Sequence, residues 1–272
     1  MHIPFYKYQG TGNDFIIVDN RESILETYAT NLVRKLCDRH FGIGADGLIV
    51  LQNRHGYNFE MIYHNADGSQ SLCGNGSRCA VHLAKHLGII DQEAYLLAID
   101  GPHRAYIKGG LIHLRLRDVP EIQTLQNGYL LNTGSPHYVQ QVDDDWEYLD
   151  VYKAGKEIRY APPFQKEGVN VNFVRLQGDH TIVVRTYERG VEEETLSCGT
   201  GAVAAALIAA TKGYESPVTV YTQGGVLQVS FTKELPHHFQ DIYLIGPASI
   251  VFKGEIDTSC MEETPIVVDQ LL

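Results

Sequence analysis

The sequence predicts a mixed α/β (α+β) fold made of two pseudo-symmetric domains. Two observations lead to this prediction: strand-like segments dominate the 272-residue chain, and a Cys-Gly-x-Gly element followed by a helix-like segment occurs twice. Short runs of β-branched and aromatic residues between Gly, Asn and Asp turns are typical of strands. The chain is long enough for two domains, each with its own core.

Individual elements follow from hydrophobic periodicity and from turn residues. Helices are expected at 29–39, 76–87 and 201–212, and in the first of them Leu32, Val33 and Leu36 share one face. The strands are expected at residues 3–9, 15–18, 48–51, 59–63, 105–107, 111–116, 180–187, 218–221, 227–231 and 242–245.

The two halves of the chain repeat one pattern. Cys73 begins the sequence CGNG and Cys198 begins CGTG, and each is followed 15 residues later by a glycine, Gly88 or Gly213. A glycine just after the last helical turn is a common helix C-cap. A Gly-Asn turn (Gly12, Asn13) precedes the first element, and a Gly-Ser turn (Gly134, Ser135) precedes the second. The same order of turn, Cys-Gly-x-Gly element and helix in both halves indicates an internal duplication. We expect the boundary between the halves near residues 118–126.

Composition and charge exclude several classes of protein. The net charge is −11, whereas nucleic-acid binding needs a basic face, so no nucleic-acid partner is expected. The N-terminal residues do not resemble a signal peptide, and the most apolar segment, 202–210, is too short to span a membrane. A cytoplasmic protein with no membrane partner is therefore predicted, and its five cysteines are expected to be free thiols unless they do chemistry.

A cysteine at the first turn of a helix has a specific electrostatic environment. The helix N-terminus presents unpaired N–H groups and partial positive charge, which stabilise a thiolate or a bound carboxylate. Thiols in this position are expected to have a lowered pKa. Glycines beside them let the backbone approach a ligand closely. Cys73 and Cys198 are thus predicted to be two thiols, each beside an anion-binding backbone.

Two such thiols are suited to the inversion of a stereocentre without a cofactor. One thiolate removes the α-proton from one face of a carbon, while the other thiol delivers a proton to the opposite face. Backbone N–H donors hold the substrate carboxylate, onto which the carbanion charge spreads. We therefore predict an amino-acid racemase or epimerase with Cys73 and Cys198 as the catalytic acid and base.

Several longer motifs resemble those of the diaminopimelate epimerase family, and the similarity extends to about residue 256. They are GTGNDFIIVDN (10–20), FGIGADGL (41–48), NADGS (65–69), CGNGSRC (73–79), NTGSPHYV (132–139), GVNVNFV (168–174) and YERGVEEETLSCGTGA (187–202). The resemblance implies conversion of LL-2,6-diaminopimelate to the meso isomer, for lysine and peptidoglycan synthesis, by an isomerase that uses no cofactor. It also implies a homodimer.

The resemblance further implies an architecture. Each domain would be a curved, mainly antiparallel sheet or barrel around a central helix, with the active site in the cleft between the domains. The first domain would comprise residues 1–118 together with about 247–256, and the second residues 119–246. The tail 257–272 has no counterpart in the family.

By the same resemblance, the site residues can be named. Cys73 and Cys198 would be the acid/base pair, and His137 and Glu188 would tune the thiol environment. The residues that would bind substrate, partly through backbone N–H groups, are Asn13, Asn65, Gly74, Asn75, Asn170, Glu188, Arg189, Gly199 and Thr200. Arg189 suits a distal carboxylate because its planar fork matches carboxylate geometry. Two positions depart from the family: Ser135 replaces a common Asn, and Gly47 replaces a Gln found in some members.

Alternative functions remain at this level. The same fold could serve a racemase for histidine, proline or hydroxyproline, or a solute-binding protein without catalysis. NAD binding is rejected, because the G-x-G-x-x-G pattern at 42–47 follows a predicted helix and precedes a strand, the reverse of the required order. No zinc site is expected, because Cys73 and Cys79 have unsuitable spacing. Cys37, Cys79 and Cys260 are predicted to be passive.

Overall fold

The computed structural model describes residues 2–25, 29–143, 145–178 and 180–261. Its strands are β1 His2–Gly10, β2 Asn13–Asp19, β3 Gly47–Gln52, β4 Phe59–Asn65, β5 Glu93–Ala98, β6 Gly101–Lys108, β7 Leu111–Arg115, β8 Gln123–Leu125, β9 Gly128–Asn132, β10 Pro136–Gln141, β11 Asn170–Gln177, β12 Thr181–Glu188, β13 Glu193–Thr195, β14 Val218–Thr222, β15 Gly225–Leu235, β16 His238–Gly246 and β17 Ser249–Asp257. Its α-helices are α1 Thr30–Cys37, α2 Gly74–His86, α3 Val151–Arg159 and α4 Gly199–Thr211. The fold is thus mixed α+β and mostly sheet, as the sequence predicts.

The strands of the two halves pair in the same order. In the first half, β1–β2 are antiparallel, β2–β3 parallel, β3–β4 antiparallel, β4–β5 parallel, and β5–β6 and β6–β7 antiparallel. In the second half, β9–β10, β10–β11, β11–β12, β12–β14, β14–β15 and β15–β16 repeat this series in the same sense. The repeated series agrees with the internal duplication inferred from the sequence.

The two halves are joined by one ladder between equivalent strands. β7 pairs antiparallel with β16, with Leu114 opposite Leu244. The last strand, β17, returns to the start of the chain and pairs antiparallel with β1. The division into two domains at residues 118–119 stays a prediction. Residues 262–272 of the predicted tail lie outside the described residues.

Each half packs around one helix. α2 packs against β1, β2, β3, β4 and β7, whereas α4 packs against β9 to β12 and β14 to β16. Residues 202–210 of α4 are all buried, which fits a helix that is apolar on every side. The first turns of α2 and α4 approach each other, since a Cβ added to Gly199 would lie 3.1 Å from Asn75 Oδ1.

Predicted and observed elements agree best for the two central helices. The helices predicted at 76–87 and 201–212 are α2 and α4, and the glycines that follow them, Gly88 (φ 71°) and Gly213 (φ 99°), adopt the left-handed conformation of a C-cap. The sequence prediction omitted α3 and the strands β5, β8, β9, β10, β11 and β13, whereas β17 corresponds to the strand that the family resemblance implies at about 247–256. Within the described part of the chain, no helix is both long and apolar enough to cross a membrane.

Candidate active site

A cavity of about 810 Å³ collects the predicted site residues of both halves. Those that line it are Asn13, Asn65, Cys73, Gly74, Asn75, Asn170, Glu188, Arg189, Cys198, Gly199 and Thr200. His137 is not part of the lining and lies fully buried behind Thr200. The structure therefore brings residues from the two halves of the chain together in one cavity. The roles of the individual residues stay predictions.

Cys73 occupies the N-cap position of α2. Its Sγ accepts a hydrogen bond from the backbone N–H of Gly76 at 3.4 Å, as an N-cap side chain does. The same Sγ lies 3.5 Å from Oδ1 of Asn13, to which a thiol at this position donates. Asn13 is held in turn by Asp46, whose Oδ2 accepts from Asn13 Nδ2 at 2.6 Å.

Cys198 occupies the N-cap position of α4. Its closest side-chain partner is Thr200, with the Sγ and Oγ1 atoms 3.6 Å apart. Gly201 follows in the first turn, and a Cβ at this glycine would overlap Oδ1 of Asn172 and lie 3.3 Å from the Cys198 sulfur. The glycine thus lets the helix start pack tightly against both the thiol and Asn172.

The pKa values of the thiols differ from the sequence prediction. Burial raises the pKa of Cys73 to about 12, although hydrogen bonds from Gly76 and Asn75 act in the opposite direction. Burial likewise raises the pKa of Cys198, and the nearby Glu188 carboxylate adds to the effect. The expectation of lowered thiol pKa values was therefore wrong for this site, because desolvation outweighs the helix N-terminus.

His137 reaches the site through Thr200. Its Nε2 lies 2.9 Å from Thr200 Oγ1, and its Nδ1 lies 3.0 Å from Nδ2 of Asn172. The same Asn172 Nδ2 also faces the Tyr138 carbonyl, which fixes it as a donor, so His137 Nδ1 accepts and Nε2–H donates to Thr200. Burial lowers the pKa of His137 to about 3, and the imidazole is neutral at physiological pH.

The far side of the cavity carries the residues predicted to bind the ends of the substrate. The Glu188 carboxylate accepts a hydrogen bond from Thr195 Oγ1 at 3.0 Å, and burial raises its pKa to about 7. The Arg189 side chain donates to the carbonyl of Glu167, while its backbone N–H donates to Oδ1 of Asn170. Glu188, at the end of β12, and Arg189, in the turn that follows, thus line the same cavity.

Asn65 and the two positions that depart from the family, Ser135 and Gly47, each contact neighbouring side chains. Nδ2 of Asn65 donates to Ser69. The Ser135 hydroxyl accepts from Asn170 Nδ2 at 2.6 Å, so the shorter side chain still holds this amide. Gly47 packs against the Tyr63 ring, whose Cζ lies 2.9 Å from where a Cβ would be. Tyr63 therefore occupies the space into which a larger residue at position 47 would extend.

Sequence reasoning missed three residues that shape the site. Asp46 and Tyr63 line the cavity, and Arg78 lies fully buried in α2 directly behind Asn75. Asp46 and Arg78 fall inside the quoted motifs FGIGADGL and CGNGSRC, so their motif positions were the available signal. Tyr63 had no such signal, because an aromatic residue in a strand is usually part of the core.

Comparison with known proteins places this geometry in a family. The sequence profile of diaminopimelate epimerase matches residues 5–106 and 129–251. The chain belongs to the diaminopimelate epimerase family. A relative from Flavobacterium psychrophilum, named diaminopimelate epimerase, is 49% identical over 93% of this chain and 100% of its own length. The protein of the same name from Aquifex aeolicus is 40% identical over 96% of this chain and 100% of its own.

Solved structures share the fold of this family member at low sequence identity. The Bacillus anthracis phenazine biosynthesis protein of the PhzF family aligns with a TM-score of 0.72 at 14% identity, covering 94% of this chain and 99% of its own. A hydroxyproline epimerase from Agrobacterium vitis aligns with a TM-score of 0.66 at 13% identity, covering 94% and 92% of the two chains. These structures support the predicted fold class.

Proposed function

We propose that this chain interconverts LL-2,6-diaminopimelate and meso-diaminopimelate by proton transfer between Cys73 and Cys198, in lysine and peptidoglycan biosynthesis. One observation carries the proposal: the thiols occupy equivalent helix starts in the two halves and line one cavity. Membership in the family, together with relatives named diaminopimelate epimerase, supports this substrate.

The proposed reaction has two proton transfers. The thiolate of one cysteine takes the α-proton, forming an S–H bond as the C–H bond breaks and leaving the electron pair on the α-carbon. The thiol of the other cysteine then gives its proton to the opposite face of that carbon and becomes a thiolate. Positioned acid–base groups of this kind typically contribute roughly 10²- to 10⁴-fold each. No cofactor takes part in this scheme.

The reacting carboxylate is proposed to lie between the two helix starts. Backbone N–H groups of Gly74 and Asn75 in α2, and of Gly199 and Thr200 in α4, belong to first turns, where the helix itself supplies no acceptor. Donors fixed in this way stabilise the charge that develops on the carboxylate as the proton leaves. The partial positive charges at the N-termini of α2 and α4 would both stabilise the negative carboxylate.

Thiolate formation is proposed to depend on the substrate. Without substrate, burial disfavours either thiolate, because it raises both thiol pKa values. The α-ammonium of the substrate brings a positive charge next to the sulfur, and a positive neighbour lowers a thiol pKa. Glu188 is proposed to hold an ammonium group, with Asn13 and Asn65 as further polar contacts.

Arg189 is proposed to bind the distal carboxylate, together with Asn170. An Arg189→Gln variant is expected to raise KM for diaminopimelate by about 10- to 100-fold, since a hydrogen bond to a charged group contributes roughly 1.5–3 kcal/mol. Arg159 provides a matched control, because it lies beside Arg189 near Gly168 and does not line the cavity. An Arg159→Gln variant with the larger effect on KM would contradict this role for Arg189.

Proton exchange tests the proposal directly. Incubation of LL-diaminopimelate with the protein in deuterated water is expected to give the meso isomer with deuterium at one α-carbon. Cys73→Ala and Cys198→Ala are each expected to abolish epimerisation, whereas Cys79→Ala, which replaces a buried thiol outside the cavity lining, should retain it. Turnover that survives either of the first two changes would exclude the two-thiol mechanism.

Other substrates are tested in the same assay. Histidine, proline and hydroxyproline lack the second amino-acid group that Arg189 and Glu188 are proposed to hold, so no deuterium incorporation is expected with them. Exchange with histidine and none with diaminopimelate would favour the racemase alternative. Binding of diaminopimelate without any exchange would favour a solute-binding protein.

The assembly and compartment are also proposals. The family resemblance suggests a homodimer, which light scattering on the purified chain would test. The cytoplasm is the proposed compartment, because the mechanism needs two reduced thiols and a reducing compartment maintains them. Fractionation of cells expressing the chain tests this assignment.

A further inference from the structure

Arg78 is a fully buried cation without an acidic partner among the described residues. Its guanidinium donates to Asn75 Oδ1 at 3.0 Å, to Thr11 Oγ1 at 3.2 Å, and to the carbonyls of Gly74 and Pro247. All of these partners are neutral. A buried charge without a counter-ion is unfavourable, so a negative charge that forms nearby becomes more stable in its presence.

The guanidinium stays charged under physiological conditions. Burial lowers the pKa of Arg78 to about 10, which is still well above neutral pH. The nearest groups that can become negative are the thiols of Cys73 and Cys79, and Arg78 favours the ionised form of both. Cys79 is fully buried away from the cavity lining, so Cys73 is the thiol through which Arg78 can affect the reaction.

A chain of hydrogen bonds leads from Arg78 to Cys73. Arg78 holds Oδ1 of Asn75, and this fixes the orientation of the Asn75 amide. Nδ2 of Asn75 then donates to Asn13 Oδ1 at 3.3 Å, the same atom that lies 3.5 Å from Cys73 Sγ. Because Asn13 Oδ1 is an acceptor, this chain positions the Cys73 sulfur and bonds its thiol form, whereas the positive charge of Arg78 favours the thiolate.

α4 has no cation at the position equivalent to Arg78. Counting from the two cysteines, the position of Arg78 in CGNGSR corresponds to Val203 in CGTGAV. The group behind Thr200 is His137, which burial keeps neutral by lowering its pKa to about 3. The two helix starts therefore share a backbone design and differ in charge.

We propose that Arg78 is a positioning residue that makes Cys73 the thiol that ionises more readily of the two, so that Cys198 remains the proton donor. The proposal rests on the proposed function, in which the two thiols exchange roles during turnover. After such a turnover Cys73 carries a proton and Cys198 is the thiolate, so the preferred form returns when Cys73 loses its proton to solvent and Cys198 takes one up. Arg78 acts through Asn75 and touches no reacting atom.

Other charged groups near the thiols do not produce this preference. Glu188 on β12 disfavours ionisation of both Cys73 and Cys198, so it does not favour the thiolate of Cys73. Asp46 is bound to Asn13 and paired with Arg39, whose Nη2 lies 2.8 Å from Asp46 Oδ1. Tyr63 on β4 faces Cys73 as a neutral phenol, since burial raises its pKa well above the ordinary value.

Thiol alkylation without substrate tests this preference. Iodoacetamide reacts with the thiolate, and peptide mass spectrometry separates Cys73 from Cys198 and from the other cysteines. In the unmodified chain we expect Cys73 to be alkylated first. Arg78→Gln is expected to lower the ratio of the Cys73 rate to the Cys198 rate by about tenfold, which corresponds to one unit of differential pKa.

Two variants separate charge from packing. Arg78→Lys keeps the positive charge and should retain most of the ratio, whereas a loss as large as that of Arg78→Gln would overturn the proposal. Val203→Met at the equivalent position of α4 should leave the ratio unchanged. Circular dichroism and thermal unfolding establish that each variant is folded. If Arg78→Gln does not fold, the proposal is tested by the order in which the two thiols of the unmodified chain are alkylated. Faster labelling of Cys198 than of Cys73 would overturn the proposal.

The result is independent of the epimerase assay. Turnover of diaminopimelate with an unchanged alkylation ratio in Arg78→Gln would refute the role of Arg78 and leave the proposed function intact. Absence of turnover with the expected alkylation ratios would refute the proposed function and retain the charge difference between the two thiols.

Discussion

The side chain of Asn75 in α2 donates a hydrogen bond from Nδ2 to the carbonyl oxygen of Ser197 at 3.0 Å. Ser197 immediately precedes Cys198, so this bond connects the start of one central helix to the start of the other. The same Asn75 amide also contacts Arg78 and Asn13. One side chain thus sets the spacing between the two Cys-Gly elements.

Asn75→Ala should therefore weaken both the fold and the reaction. It leaves the buried Arg78 guanidinium and the Ser197 carbonyl short of a partner, which typically costs about 1–3 kcal/mol for each unsatisfied group. We expect a lower urea midpoint and a kcat reduced by more than KM is raised. Ser77→Ala is the matched control, because within the described part of the chain Ser77 Oγ donates to the carbonyl of Cys73, the N-cap of α2, and not to the second half. Equal effects of the two variants on kcat would contradict the connecting role.

Glu188 gives the site a pH dependence. Burial raises its pKa to about 7, so the folded protein binds a proton that the unfolded chain releases near its ordinary value of 4.5. Its contribution to stability is present below pH 4.5 and is lost as the pH rises from there to about 7. Binding of a substrate ammonium needs the ionised form, so kcat/KM should rise over the pH range around 7.

Glu188→Gln should remove both effects. The variant is expected to lose the rise of kcat/KM near pH 7, and the decline of its thermal stability between pH 4.5 and 7 should be smaller than in the unmodified chain. Differential scanning fluorimetry and initial rates over this pH range measure the two quantities. An unchanged rise of kcat/KM in the variant would assign the titration to another group.

His137 and Thr200 should act as a unit. The neutral imidazole donates to Thr200 Oγ1, and the Thr200 hydroxyl faces the Cys198 sulfur. His137→Leu and Thr200→Val are each expected to lower kcat, and the double variant should be little worse than either single one, because both changes interrupt the same chain. Additive losses in this double-mutant cycle would show that the residues act separately. Because burial lowers the pKa of His137 to about 3, titration of this histidine should cause no change of rate with pH above pH 5.

Gly201 is predicted to tolerate no side chain. A Cβ there would overlap Asn172 and press on the Cys198 sulfur, and overpacking of this kind typically costs about 1–3 kcal/mol. Gly201→Ala should therefore be destabilised and should lose most of its activity. Gly178→Ala is the control, because a Cβ at Gly178 meets nothing within 4 Å. A fully active Gly201→Ala protein would mean that the helix start can shift without harm.

The sequence predicted the elements whose signal is local. α2 and α4 both have a Cys-Gly start and a glycine C-cap, and the predicted ends of both helices lie within two residues of the observed ones. The short strands β8, β9 and β13 carry little periodic signal, and their pairing depends on distant partners. β17 was expected near residues 247–256 only through the family resemblance.

The candidate site shows the same distinction. Motifs identified eleven of the residues that line the cavity, because these lie mainly in turns and helix starts with conspicuous Gly, Asn and Cys patterns. The thiol pKa values were predicted in the wrong direction, since burial depends on packing that a linear pattern does not contain. Arg78 was missed for the same reason, because only the structure shows a cation enclosed without an acid.

The ladder between β7 and β16 has a consequence for how such a site arises. Two identical chains related by a twofold axis would pair these equivalent strands in the same antiparallel way, and would build the same cavity from two copies of one helix start. Such a dimer must carry the same residue behind both thiols. A single continuous chain is free of that constraint, so the position occupied by Arg78 in one half can be occupied by Val203 in the other. Covalent fusion of the halves thus permits one thiol to differ in acidity from its twin.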